Sequence, residues 1–321
     1  MEGDHSNPNT NDEPISDAEQ DQPNQDEHVP QSRNMYDLSS LNDDETNIEL
    51  VQCRVDHIPD LARFQKLENL LTEIDGLLPV TLTELDLYDN QLTEIKGLDA
   101  LVNLKVLDLS YNRLRKIEGL SNLRNLIRIY LVNNKISAIN GLENQQKLEL
   151  LELGDNRIKK IENINHLVNL QELYLGKNHI RQIEGIDQLT KLRVLNIPGN
   201  RLIKLENLET LIDLEEVHVS DQGLESLRGL ENQPKLTIID AGHNSISTLD
   251  GLEHMQNLED LWLNDNKIAS WAEVDKLARL SALCTIYLER NPIYNEDRNN
   301  YRRKVMLALP QVTQIDASVC R

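Results

Sequence analysis

Residues 131–158 read LVNNKISAINGLENQQKLELLELGDNRI, and the spacing inside this stretch decides the fold. Leu151 and Leu153 are separated by one residue and lead to Asn156, with Ile158 two places beyond it. The same order of residues stands 22 positions earlier, where Leu131 precedes Asn134 and Ile136 and Ile139 follow. Outward from here the interval holds in both directions. The ladder runs Asn90, Asn112, Asn134, Asn156, Asn178 and Asn200, then Gln222, Asn244 and Asn266, and after one longer repeat it ends at Asn291. In consensus form the unit is L-x-x-L-x-L-x-x-N-x-I-x-x-I-x-x-L.

The spacing carries its own physics. An L-x-L triplet has period two, so its two apolar residues face one side and the residue between them faces the other. Such triplets are expected to stack as a parallel sheet on a concave face. The Asn at each turn is placed to hydrogen-bond backbone groups where the chain leaves the strand. Apolar residues three apart, such as Ile136 and Ile139, suit 3₁₀-like turns on the convex side. No single unit can close its own core, so each depends on its neighbours. The expected fold is an α/β leucine-rich-repeat solenoid with a parallel sheet, short 3₁₀-like helices and a C-terminal cap.

The chain divides into three parts. Residues 1–46 hold thirteen acidic side chains and one basic one, Arg33, among Asn, Gln, Pro and Ser, and read as a disordered tail. Without them the net charge moves from -21 to -9. The solenoid is expected over 47–291. Its first unit places Leu50, Cys53, Val55, Ile58, Leu61, Phe64, Leu67 and Leu70 on the pattern, with Cys53 at the Asn position. The next unit is truncated near 70–74, where Leu71 follows Leu70 with a six-residue stretch missing. Two readings stand: a degenerate capping region, or a lesion of splicing or gene structure. Residues 292–321 form the cap. Tyr301, Val305 and Leu309 are four apart in EDRNNYRRKVMLAL (296–309), which suits a short amphipathic helix ended by Pro310, with Val312 and Ile315 folding back.

Composition narrows the function. Aromatic residues make up 3% of the chain, and 33 basic residues stand against 54 acidic ones. A chain this acidic repels phosphate backbones and anionic lipids, so neither nucleic acid nor a membrane surface is expected as a partner. No apolar run reaches the roughly 18 residues of a membrane span, and no secretory leader is apparent. Cys53, Cys284 and Cys320 are too far apart for a disulfide framework or a zinc site, and the eight His lack ligand spacing. No phosphate-cradling glycine loop or nucleophile elbow occurs. Neither enzyme, metal site nor cofactor is therefore expected. Carboxylates on the sheet face are expected to be open to water, without a burial shift.

Function should lie on the outward residue of each triplet. In order these are Asp86, Asp108, Tyr130, Glu152, Tyr174, Asn196, His218, Asp240, Trp262 and Tyr287. One of two Trp and three of eight Tyr fall on this single line. Exposed aromatics flanked by carboxylates suit a protein-binding hot spot, and Glu172, Glu216, Asp260 and Glu289 deepen the acidity. Trp271 instead takes the Ile position of its unit and reads as core.

ELDLYDNQLTEIKGLDAL (84–101) and LYLGKNHI (173–180) resemble the 22-residue class of leucine-rich repeats. WLNDNKIASW (262–271) and YLERNPIYNEDRNNYRRKVMLALPQVTQIDA (287–317) resemble, more specifically, the last repeat and cap of the leucine-rich-repeat regulatory subunits of type-1 protein phosphatase. The resemblance covers about 48–317. It implies a nuclear and cytoplasmic protein, monomeric on its own, that holds the phosphatase catalytic subunit on its concave face. A further inhibitor protein is an additional implied partner, and mitotic exit and chromosome segregation are the implied setting. The contacts it carries over are Asp108, Tyr130, Glu152, Tyr174, Asp240, Asp260, Trp262 and Tyr287, with Asp86, Asn196 and His218 as weaker members. The basic–Val–x–Phe docking peptide of many phosphatase partners is missing, since Phe64 is the single Phe and lacks that setting. A cytoskeletal, ciliary or spliceosomal scaffold is the alternative that the repeat class leaves open.

Overall fold

The computed structural model describes residues 47–49, 52 and 82–320. The acidic tail, the truncated unit and Cys53 lie outside the described residues. Within them the strands are three residues long and follow the ladder. They are β1 (Asn47–Glu49), β2 (Glu84–Asp86), β3 (Val106–Asp108), β4 (Arg128–Tyr130), β5 (Leu150–Glu152), β6 (Glu172–Tyr174), β7 (Val194–Asn196), β8 (Glu216–His218), β9 (Ile238–Asp240), β10 (Asp260–Trp262) and β11 (Thr285–Tyr287). They pair in parallel in chain order, each with its neighbour in sequence. The middle residue of each triplet from β2 onward is buried, while its two flanking residues face outward.

β1 pairs directly with β2, Ile48 opposite Leu85, so the sheet is continuous across the truncated unit. Gln52 repeats the role of Asp89. Both have positive φ, 55° and 53°, and each donates its N–H to the next turn, to Tyr88 O and Ser110 O. The strands on either side of the missing stretch have become neighbours.

The ladder amides tie successive turns. Asn178 Nδ2 lies 3.1 Å from Leu175 O and 3.2 Å from Gly176 O of its own turn, and 2.9 Å from Leu153 O of the turn before. Its Oδ1 accepts the Ile158 N–H at 2.9 Å. One buried side chain therefore satisfies backbone groups of two strand exits, which close stacking has removed from water. Gln222 is one methylene longer. Its amide reaches Ile197 O at 2.8 Å and accepts from Leu202 N at 2.9 Å, both in the preceding turn.

Opposite the sheet, each unit among the described residues makes two successive turns closed by i+3 to i bonds, as from Leu101 N to Leu98 O and Leu104 N to Leu101 O. This is the 3₁₀ character that the spacing predicts, and at Lys276–Arg279 it lengthens into a 3₁₀ helix after α1 (Trp271–Asp275). From Leu82 onward, Leu and Ile from successive units form one continuous core.

The C-terminal end closes the stack. α2 (Pro292–Glu296) leads to α3 (Arg298–Ala308), which buries Tyr301 and Val305, with Leu309 buried just beyond. β12 (Gln314–Ile315) then adds to β11 in parallel, and β13 (Ser318–Val319) folds back on it. Arg302 fastens this hairpin, donating to Ile315 O, Ser318 O and Val319 O at 3.0, 3.1 and 2.7 Å. Trp271 packs partly buried against the core, 6.5 Å from the Tyr301 ring, as a core residue should.

Candidate interaction face

Strand register brings the outward residues into one row. Asp86 lies opposite Asp108, Asp108 opposite Tyr130, Tyr130 opposite Glu152, and Glu152 opposite Tyr174. The row continues through Asn196 and His218 to Asp240, Trp262 and Tyr287. Neighbours one strand apart are about 4.8 Å from each other, so the row is a continuous surface. Asp260 lies beside this row, at the other outward position of β10, two residues before Trp262.

A second row runs beside the first and was hidden in the sequence. Val106, Leu150, Val194 and Ile238 occupy the first outward position of alternate strands, between Arg128, Glu172, Glu216 and Asp260. All four are half-buried. As aliphatic residues next to core leucines they merge with the apolar pattern; only their parity, two places before an outward residue, marks them as surface.

Packing between these rows changes the face electrostatically. Burial raises the pKa of Asp108, with the nearby Asp86 charge adding to it, while a 2.7 Å hydrogen bond from Ser110 N to Oδ1 opposes the shift. Burial also raises Glu152, helped by Asp108. The expectation that face carboxylates would feel no burial fails at these two positions, where burial is the largest cause of the shift. The Tyr130 hydroxyl is pushed up by burial and by Glu152. Tyr174 is pushed up by burial and by donating to Glu172 Oε2 at 2.8 Å.

The far end of the row is more open. Trp262 is 36% exposed and meets the Tyr287 ring edge-on, with centroids 5.9 Å apart. The Tyr287 hydroxyl accepts from Gln314 Nε2 at 3.1 Å, so the cap orients a face residue, a contact that spacing alone could not reveal. His218 Nε2 lies 3.4 Å from Glu216 Oε2, and its Nδ1 lies 4.0 Å from Asp240 Oδ2. Beside this end Arg290 grips Asp265 through two bonds of 2.6 and 2.7 Å and holds that carboxyl at about 2.

Such a surface is suited to binding. Among the described residues, no group of three or more His, Cys, Asp or Glu is placed to hold a metal ion. No helix among them is long and apolar enough to cross a membrane.

Comparisons with known proteins agree with this architecture. The family described as "Leucine Rich repeats (2 copies)" matches residues 80–122, 102–144 and 146–188, and the one described as "Leucine-rich repeat" matches 190–320. The protein phosphatase 1 regulatory subunit SDS22 homolog of Caenorhabditis elegans is 51% identical over 78 residues, which are 22% of this chain and 24% of that protein. The human protein phosphatase 1 regulatory subunit 7 is 52% identical over 54 residues, 17% of this chain and 14% of the relative. The matched length is thus less than a quarter of these curated relatives. Among solved structures, a leucine-rich-repeat protein of Leptospira interrogans aligns with a TM-score of 0.68 at 20% identity, covering 85% of this chain and 78% of that one. The functional domain of InlJ from Listeria monocytogenes aligns with 0.64 at 17% identity over 86% and 54%. These two show the fold alone. The amide ladder, the stacked three-residue strands and family matches running from residue 80 to 320 make this chain a member of the leucine-rich-repeat family, with protein phosphatase 1 regulatory subunits among its relatives.

Proposed function

We propose that this chain is a regulatory subunit of protein phosphatase 1 that holds the catalytic subunit on the row from Asp86 to Tyr287. The observation that carries the reading is the pairing of local relatives named as such subunits with an acidic and aromatic row interrupted at Asn196 and His218. Half-buried carboxylates beside partly buried rings suit a partner surface rich in Lys and Arg, and Trp262 and Tyr287 supply the large rigid contacts typical of hot spots. The role is binding, not catalysis. A further inhibitor protein and residence in nucleus and cytoplasm belong to the same proposal.

The test is a pull-down from cell extract with the wild-type chain beside a Trp262→Ala/Tyr287→Ala variant, with captured proteins identified by mass spectrometry. A type-1 phosphatase catalytic subunit enriched by the wild type and lost with the variant supports both partner and face. Tubulin, dynein or splicing proteins in its place would make the chain a scaffold of another kind. Capture of the phosphatase by both forms would move the contact away from this end of the row.

A further inference from the structure

The residue after each ladder amide forms a column of its own. In five consecutive turns it is Arg113, Lys135, Arg157, His179 and Arg201. Their backbones are joined turn to turn: Lys135 N donates to Leu114 O, Arg157 N to Ile136 O, His179 N to Ile158 O and Arg201 N to Ile180 O, each at 2.8 Å. Each acceptor directly follows the column member of the turn before, so column neighbours are stacked about one strand spacing, or 4.8 Å, apart. Two places further along each turn, past a buried Leu or Ile, a second column holds the exposed Arg115, Lys159 and Arg181.

These seven Arg and Lys side chains form no ion pair with any described residue. Some cations nearby are paired. Lys160 lies 3.7 Å from Glu184, Lys204 pairs with Glu206, and Arg193 pairs with Glu215. What sets these seven apart is their stacking on one flank of a chain with a net charge of -21. Like charges at this pitch repel, and one anionic chain laid along the columns would relieve all of them together.

The columns are fenced. On one side lies the sheet face with Asp108 and Glu152, and on the other stand Glu118, Glu162, Glu184 and Glu206, five places beyond the first column. A nucleic-acid duplex or a bilayer is wider than this strip and would press its phosphates against those carboxylates. A single extended polypeptide fits between them. Five turns span roughly 19 Å, the length of about six extended residues.

We infer that this flank is a docking strip for an extended acidic segment, about six residues or longer, of a partner protein. The strip is separate from the row carrying Trp262 and does not depend on the phosphatase reading.

The test is fluorescence anisotropy with a labelled octaglutamate peptide and the full chain at about 50 mM salt, where exposed charges are weakly screened. Saturable binding at one peptide per chain is expected. Arg113→Glu/Arg157→Glu/Arg201→Glu should weaken it on the order of tenfold or more. Should that variant melt abnormally, Arg113→Gln/Arg157→Gln/Arg201→Gln serves in its place with a smaller loss. Trp262→Ala/Tyr287→Ala should bind as the wild type does. Absence of binding to the full chain, through an inert strip or one covered by the chain's own acidic residues, overturns the inference. So does equal affinity in the reversal variant, or tighter binding of a single-stranded oligonucleotide of equal charge.

Discussion

Asp108 shows how a residue can serve a surface at the expense of the fold. Its carboxyl is half-buried, and its pKa is raised by burial first and by Asp86 second. A carboxyl whose folded pKa exceeds its unfolded value opposes folding once both states are ionised. The penalty is complete above the folded value and vanishes below the unfolded one, near 3.8. Asp108→Asn keeps an oxygen for the Ser110 N–H and removes the charge. It should raise the melting temperature at pH 7 by about 1–2 °C, and the gain should disappear as the pH falls below about 4. Affinity for a basic partner should fall in the same variant. Melts at pH 7 and pH 3.5 decide the matter: a variant less stable than wild type at pH 7 would mean the carboxylate is stabilised by the face, against the burial argument. Asp265 has the opposite sign. Held at about 2 by Arg290, it supports the fold above the usual carboxylate pKa, and that support is lost as pH falls toward 2.

At the scale of one repeat the restraint is the closeness of successive turns. Gly141 has φ +73°, and a Cβ there would sit 2.1 Å from Ile117 O of the preceding turn. Gly141→Ala should therefore cost roughly 2–4 kcal/mol, from backbone strain and forced separation of two turns. The equivalent position one unit later is Asn163, with φ 59°, whose Nδ2 donates to Ile139 O at 2.8 Å. That amide turns a crowded carbonyl into a hydrogen-bond partner, so Gly141→Asn should lose less than Gly141→Ala. Denaturant titration ranks the three, and an alanine variant as stable as wild type would show that the turns can spread freely. The ladder Asn was legible in the sequence because it recurs at one interval, as were the three-residue strands and the cap helix through Tyr301 and Val305. The Arg302 clamp, the Gln314 bond to Tyr287 and the half-burial of Asp108 were not. Each depends on how far a side chain reaches across a packed neighbour, and spacing along the chain carries no such information. The direct pairing of β1 with β2 was likewise invisible, since the truncated unit breaks the interval between them.

Across the whole molecule, stability is a chain of nearest-neighbour terms, because each strand pairs only with the turns before and after it. Leu153 sits in the middle of that chain with 0% exposure, and its carbonyl lies 3.1 Å from Asn156 Nδ2 and 2.9 Å from Asn178 Nδ2. Leu153→Asp would bury an unpaired carboxylate and disturb the strand exit on which two ladder amides depend. The expected loss is about 4 kcal/mol or more. It should spread outward from β5: hydrogen exchange ought to rise first between roughly 131 and 178, with the terminal turns following as their neighbours open. Partner binding should fail too, although no outward residue has changed, because the row from Asp86 to Tyr287 is one surface only while β5 holds its two halves in register. Leu153→Ile, which keeps the volume and the burial, should retain both protection and binding. A wild-type melt in the aspartate variant would mean that Leu153 does not point into the core, and the division of every triplet into inward and outward residues would fall with it.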